Sequence, residues 1–362
     1  MLAAGGTAGH LFPAFALAEE LGRRGITVDL VTDERGDKYG TGFPAREIHT
    51  VSSATLGGKS PLAMGKTVGS LANGVRQAFS LIGKVRPSAV VGFGGYPSFP
   101  PIVAARLRGV PTALHEQNAV MGRANRMLVS RVDRIACSFA DTKYVPEKAL
   151  SKVRVTGNPV RANVLEAAIR PYQAPTASGP VVLVVFGGSQ GARYFSESVP
   201  PALAALPDEV RSRLVVVQQA RPEDIEQVRA TYQAAGIKAE VASFFKVLPD
   251  LLATAHLVIG RAGASTVAEL GVLGRPAILV PLPHALDNDQ LNNAKRLADA
   301  GGAWLIEQKD LSVDRLGTEI ASLVAEPGRL AAAAMAAKAE GKPDAVVRLA
   351  DLVNELIELR KA

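Results

Sequence analysis

VVLVVFGGSQGARYF, residues 181–195, runs six apolar residues straight into a double glycine and then into a helical pattern. An unbroken, valine-rich run suits a strand buried on both faces, as strands are in a parallel sheet. A glycine turn that opens a helix presents free backbone N–H groups at the positive end of the helix dipole, which suits phosphate. The same order of parts begins the chain, in MLAAGGTAGHLFPA (1–14). GGTAGH (5–10) and GGSQGA (187–192) therefore read as the corresponding first turns of two Rossmann-like halves. The expected fold is α/β, with two Rossmann-like domains facing across a cleft.

Working outward, short apolar runs alternate with helical patterns in both halves, the βαβ rhythm of a covered parallel sheet. GITVDLVT (25–32), PSAVVGFGG (87–95), VPTALHEQN (110–118) and VDRIACS (132–138) read as strands of the first half. RLVVVQQ (213–219), KAEVASF (238–244), AHLVIGRAG (255–263) and RPAILVPLP (275–283) continue the second. Between them, 157–180 is rich in Pro, Ala and Ser and has no β pattern, so it reads as a linker. The domains expected are 1–156 and 181–342, followed by a terminal helix, 343–362. Apolar residues at 346, 349, 352, 353 and 356 give that helix one apolar face, expected to pack back on the first domain.

The chain has 362 residues and a net charge of +7, placed unevenly. Residues 1–155 carry 20 Lys/Arg against 11 Asp/Glu, whereas 156–362 carry 21 against 23. Between Glu47 and Glu116 there is no acidic residue but seven basic ones. An anionic partner is expected on the first half. No nucleic-acid motif is present and aromatic residues are scarce, which argues against nucleic acid. The single cysteine, Cys137, forms no internal disulfide and reads as a buried thiol of a reducing compartment. There is no run of 18 apolar residues and no secretory-signal pattern, so a cytoplasmic protein is expected.

GRAGAST (260–266) ends a strand and opens a helix, and Glu269 follows Ser265 by about one turn. A carboxylate there could accept both hydroxyls of a ribose while the turns hold phosphates; equally, it could serve its own helix. GGTAGH lacks the G-x-G-x-x-G spacing of a dinucleotide site, although Asp29 and Asp33 lie at a suitable distance for one. Asp287-Asn288-Asp289 has a metal-like spacing but reads better as a helix start, so no metal and no cofactor is expected.

GGTAGHLFPA, GFGGYPSFPP, LHEQNAVMGRANR, GNPVR, VFGGSQGAR, GRAGASTVAEL and DNDQLNNA together resemble, in the same order, one bacterial cell-wall family. These are the undecaprenyl-diphospho-muramoylpentapeptide N-acetylglucosaminyltransferases, and the likeness covers nearly the whole chain. The resemblance implies a GT-B glycosyltransferase that inverts the anomeric centre and forms a β-1,4 bond. It implies UDP-N-acetylglucosamine on the second domain and a lipid-linked muramoyl-pentapeptide on the first, at the cytoplasmic face of the inner membrane. Carried over by position, Ser189 meets the donor phosphates, with Arg161 near them. Phe245 lies by the uracil. Ala264, Ser265, Thr266, Val267, Ala268 and Glu269 line the nucleoside, and Asn118 and Gln290 contact the sugar. Thr7, Ala8 and Gly9 form the first glycine-rich loop, which faces the acceptor diphosphate.

His10 ends that loop. An imidazole titrating near neutrality suits removal of the proton from an attacking 4-hydroxyl, with His115 and Glu116 as rival bases. Two departures from the family pattern stand out. The loop usually reads Gly-Gly-Thr-Gly-Gly-His, and alanine stands at position 8. A positive φ there would cost about 1 kcal/mol or more. The first strand also looks truncated. Either change makes a catalytically impaired nucleotide-sugar-binding homologue an alternative, beside a GT-B transferase for another lipid acceptor. Finally, 57–87 holds five basic and no acidic residues, with Val68, Leu71, Val75, Phe79 and Ile82 at helical spacing. The expectation is an exposed basic start, 59–66, against an anionic membrane surface and a later stripe mostly buried.

Overall fold

The computed structural model describes residues 1–33, 42–53 and 61–360. The chain divides into two units, Met1–Arg161 with Lys342–Ala362, and Ala162–Gly341.

The first unit is built on seven parallel strands: β1 (Leu2–Ala3), β2 (Asp29–Thr32), β3 (Glu47–Thr50), β4 (Val90–Gly92), β5 (Thr112–Glu116), β6 (Arg134–Cys137) and β7 (Val153–Val155). Their order is β3-β2-β1-β4-β5-β6-β7, so the direction of winding reverses between β1 and β4. β1 is two residues long, yet it pairs on both sides: Leu2 with Leu30 and Val91, Ala3 with Val31 and Gly92. Its short length leaves the centre of the sheet hydrogen-bonded.

Both faces of this sheet are covered, which is why its strands read as continuous apolar runs. On one face, Leu11, Leu17 and Leu21 of the helix Ala8–Arg23 share a core with Leu349, Leu352, Val353 and Leu356 of the closing helix Ala345–Leu359. Ion pairs Arg24–Asp351 (2.6 Å) and Arg134–Glu355 (2.5 Å) flank that contact. On the other face, Ala78 and Ile82 of the helix Pro61–Val85 and Ile102 of the helix Phe99–Leu107 pack on Val90, Leu114 and Ile135. Cys137 is fully buried there, and burial pushes its thiol up to about 12.

The second unit has six parallel strands: β8 (Val181–Phe186), β9 (Leu214–Gln219), β10 (Lys238–Ala242), β11 (Leu257–Gly260), β12 (Ala277–Leu279) and β13 (Ala303–Leu305). Their order is β10-β9-β8-β11-β12-β13, with the reversal between β8 and β11. Leu183, Val185, Val216, Leu257 and Ile259 are each at most 1% exposed and form its core with Phe195, Leu203, Leu316 and Ile320. The stretch 157–180 straddles the division between the units and carries the short helix Ala162–Ala167, whose Val164 and Ala167 are buried.

The buried face of the helix Pro61–Val85 overlaps the stripe its apolar spacing suggests, at Leu71 and Ile82, but is rotated from it. Its buried positions are Leu71, Gly74, Ala78 and Ile82, whereas Val68 (59% exposed) and Phe79 (38%) face outward. Small residues set this register: a methyl added at Gly74 would lie 2.0 Å from the Ser52 carbonyl oxygen, so the helix approaches the chain there closely. Phe79 carries the Arg108 guanidinium 3.8 Å above its ring.

Candidate active site

Ligands of open α/β sheets sit beyond the strand carboxyl ends where the winding reverses. In the first unit that point lies between the loops after β1 and β4. The loop after β1 turns at Gly6, whose φ of +80° is a left-handed position that glycine takes without strain. Thr7 follows in extended conformation as the N-cap. Ala8 is then the first residue of the helix Ala8–Arg23. That is an ordinary right-handed helical position, which alanine favours. The left-handed site of the loop is residue 6, and alanine at 8 carries no backbone penalty of that kind. The Ala8 side chain is outside the described residues.

His10, in the first turn of this helix, is partly buried and lies against the loop after β4. A methyl added at Gly95 would stand 3.3 Å from Nε2, and one at Gly94 3.5 Å from Nδ1. Glycines at 94 and 95 let that backbone run directly beneath the imidazole. Nδ1 is the inward nitrogen and has no hydrogen-bond partner among the described residues. Burial holds the pKa of the ring below the ordinary imidazole value, while the Gln117 side chain and the Phe93 carbonyl pull it the other way. A neutral imidazole can accept a proton.

The rival bases are committed elsewhere. Glu116, at the end of β5, accepts from the Asn118 and Gly122 backbone N–H groups and from Asn118 Nδ2 and Asn125 Nδ2, at 2.7–3.3 Å. Its burial raises the carboxyl pKa and these donors lower it. The carboxylate organises the turn 116–125. His115 is fully buried, with Nε2 3.1 Å from the Gly157 carbonyl and Nδ1 3.0 Å from Gln117 Nε2. Burial pushes its pKa down to about 4. Asn118 is partly buried on the same turn. Arg161 stacks its guanidinium 4.2 Å from the centre of the Phe12 ring, on the His10 helix.

In the second unit the reversal lies between the turn after β8 and the turn after β11. Gly188, at φ +65°, opens the helix Gly188–Ala204. The backbone N–H groups of Gly187 and Gly188 point at Gln219 Oε1, 3.3 and 3.1 Å away. Ser189 lies in the first turn of this helix, and its side chain is outside the described residues. Gly263 caps the helix Ala264–Leu273 in extended conformation. Ala264, Ser265, Thr266 and Ala268 are partly exposed there, while Val267 and Glu269 are buried at 6% exposure. Ser265 Oγ is buried and has no hydrogen-bond partner among the described residues. Gln290 accepts the Leu282 N–H at Oε1 (2.9 Å), which directs its amide nitrogen away from that backbone. Phe245 is partly exposed after β10. Asp287 and Asn288 take positive φ and lead into the helix Asp289–Asp299, and Asp289 Oδ1 accepts the Gln290 N–H at 2.7 Å.

The glycosyltransferase family 28 N-terminal domain model matches residues 1–137, and the C-terminal domain model matches residues 182–349. The chain belongs to glycosyltransferase family 28. It is 53% identical, over 98% of its length and 94% of the relative's, to the Mesorhizobium japonicum UDP-N-acetylglucosamine--N-acetylmuramyl-(pentapeptide) pyrophosphoryl-undecaprenol N-acetylglucosamine transferase. The Agrobacterium fabrum protein of the same name is 53% identical over 99% of this chain and 95% of its own. Among solved structures, Acinetobacter baumannii MurG superposes with a TM-score of 0.79 at 29% identity, over 98% of each chain. A UDP-N-acetylglucosamine 2-epimerase shares the fold (TM-score 0.68, 14% identity, 98% of this chain and 94% of that one). The fold of this family 28 member is GT-B, and the protein is a glycosyltransferase.

Gln117 and Asn158 went unmarked in the sequence. Gln117 Nε2 donates to the Phe93 carbonyl at 2.9 Å and lies 3.0 Å from His115 Nδ1. Asn158 is 5% exposed, with neither amide atom hydrogen-bonded, at the end of β7. The bond from Gln117 to Phe93 joins residues 24 positions apart, so no local pattern could mark it.

Proposed function

We infer that this chain transfers N-acetylglucosamine from UDP-N-acetylglucosamine to undecaprenyl-pyrophosphoryl N-acetylmuramyl-pentapeptide, giving the lipid-linked disaccharide precursor of peptidoglycan and UDP. The observation that carries this is identity of about half over nearly the full length of transferases bearing that activity. Incorporation of labelled N-acetylglucosamine into the lipid-linked acceptor, with stoichiometric UDP release, is the expected result. UDP release without transfer would overturn it.

Within that reaction we propose the following division of labour. The second unit holds the donor. The N-terminus of Gly188–Ala204 meets its phosphates, Ser265 and Glu269 its ribose, Phe245 its base, and Gln290 its sugar. The buried, unpartnered Ser265 hydroxyl and the buried Glu269 carboxylate on one helix support a polar ligand there. The first unit holds the acceptor, its diphosphate against the loop Thr7–Gly9. His10 Nε2 takes the proton of the 4-hydroxyl as that oxygen attacks the anomeric carbon from the face opposite UDP. The C–O bond forms as the bond to UDP breaks, with inversion. Charge on the departing UDP falls on helix N-terminal N–H groups and on Arg161, as the family pattern places it. His10→Ala should lower turnover by about 10²–10⁴-fold and spare donor affinity. Near-normal turnover would assign the proton to another group. The placement of Ala8 in a plain helical position supports an active enzyme over an impaired homologue.

No single described helix is long and apolar enough to cross a bilayer. We propose peripheral attachment at the cytoplasmic face, through the basic first unit.

A further inference from the structure

Phe12 belongs to neither of the two apolar cores that cover the first sheet, and it is only partly buried. It follows His10 by two residues in the first turns of the helix Ala8–Arg23. At about 100° of rotation per residue, the two side chains leave that helix on nearly opposite sides. His10 lies against the loop after β4, whereas the Phe12 ring centre lies 4.2 Å from the Arg161 guanidinium carbon. Cation–π attraction reaches to about 6 Å, so this is a close contact. Arg161 ends the segment Gly157-Asn158-Pro159-Val160-Arg161, and the other end of that segment is fastened too. Gly157 takes a φ of +84°, and its carbonyl lies 3.1 Å from His115 Nε2. Both fastenings lie within the first unit.

The kind of fastening matters. Elsewhere in the first unit arginines meet carboxylates: Arg24 meets Asp351, Arg46 meets Asp29 and Arg134 meets Glu355. A carboxylate neutralises the cation and accepts its hydrogens. A ring attracts the cation through its π-face and accepts none of its in-plane hydrogens. The N–H donors of a guanidinium lie in its own plane, in the fork geometry that matches phosphate oxygens. A partner over the face therefore leaves both the charge and that edge for an anion.

We propose that Phe12 is a positioning residue for the transfer: it holds the Arg161 guanidinium by its face, charge intact, with the N–H edge toward the donor diphosphate as UDP departs. This rests on the reading of Arg161 given above. The base and the ring that steers the cation then sit on one helix.

Fluorine withdraws charge from the face of a phenyl ring with little change in its size. A mono-, di- and trifluorinated phenylalanine series at position 12 therefore weakens the contact stepwise without reshaping the helix. UDP affinity, by calorimetry, should fall stepwise along that series, turnover should fall with it, and uridine affinity should hold. Phe12→Leu keeps apolar bulk but removes the ring, and should lower UDP affinity and turnover by roughly 2- to 30-fold, the range of one cation–π contact. In Arg161→Gln the fluorine series should be flat. UDP affinity indifferent to fluorine, or an equal fluorine response in Arg161→Gln, overturns the proposal. Proton NMR reads the contact apart from activity. Arg161 side-chain resonances, assigned by their loss in Arg161→Gln, should be displaced upfield by the ring current and return downfield in Phe12→Leu. Undisplaced resonances overturn the contact itself. Unchanged UDP affinity in Arg161→Gln would take Arg161 away from the phosphates and the proposal with it. UDP affinity that follows the fluorine series in a chain that transfers nothing to the lipid-linked acceptor would keep the role of Phe12 and overturn the acceptor reading instead.

Discussion

At the scale of single residues, roles follow from what each side chain has left to offer once its neighbours are counted. His10, Ser265 and Glu269 could be singled out as candidates in the sequence because each follows a glycine turn by a short fixed offset. Gln117 was not, because its hydrogen bond to the Phe93 carbonyl joins residues brought together only by the fold. Glu116 and His115 looked like bases by residue type, yet four donors hold the one and a backbone carbonyl the other. Glu269→Ala should weaken UDP-N-acetylglucosamine binding by roughly 1.5–3 kcal/mol, the value of hydrogen bonds to a charged group. Titration calorimetry showing unchanged affinity would remove Glu269 from the site. His115 gives a pH prediction. Its pKa falls from 6.5 to about 4 on folding, so between those values the unfolded chain binds the extra proton. Stability is then full above pH 6.5 and drops as pH falls toward 4, by about 3 kcal/mol in all. Protection factors of β5 amides, corrected for the intrinsic pH dependence of exchange, should fall over that range, and His115→Gln should flatten the dependence.

At the scale of elements, strands with continuous apolar runs were readable and short edge strands were not. β3, at the sheet edge, is mostly exposed and reads as polar, and β13 is three residues long. The helix Pro61–Val85 shows why spacing alone misplaces a face. Its larger apolar residues suggested one stripe, but close approach at Gly74 and Ala78 rotates the buried face from it and leaves Val68 outside. An exposed valine and phenylalanine on a basic helix that carries no acidic residue suit a membrane surface better than a wholly buried stripe would. Lys59 and the Lys66 side chain lie outside the described residues, while Arg76 is exposed. Changing Lys59, Lys66 and Arg76 together to Gln should weaken binding to anionic vesicles, by about 1 kcal/mol for each charge near the surface. Binding to neutral vesicles and donor affinity should not change. Co-sedimentation that is equal with and without these charges, or independent of salt in the parent protein, would deny the helix a membrane role.

At the scale of the whole molecule, the doubled plan was legible because each half repeats one device: a buried strand, a glycine turn, a helix. The two sheet orders reverse at the strands that carry those turns, so the turns stand where ligands of such sheets sit. Metal independence is an expectation for the complete enzyme. Among the described residues no group of three or more His, Cys, Asp or Glu could hold an ion, and Asp289 is engaged with the start of its own helix. Transfer should persist in excess EDTA. Activity lost to the chelator and restored by Mg²⁺ or Mn²⁺ would bring Asp287 and Asp289 into the site.

The first unit is interrupted in the chain: it leaves at Arg161 and resumes at Lys342, and the segment between is the second unit entire. On the ribosome, the face formed by Leu11, Leu17 and Leu21 must wait for Leu349, Leu352, Val353 and Leu356 before its core is complete. About 180 residues separate the two parts. At bacterial elongation rates the delay is roughly 10–35 s, long compared with the folding of most single domains. Throughout it the nascent first unit shows an apolar groove to the cytosol while the second unit, continuous in sequence, is free to fold. The closing helix thus sets when, in biosynthesis, the core of the first unit becomes complete.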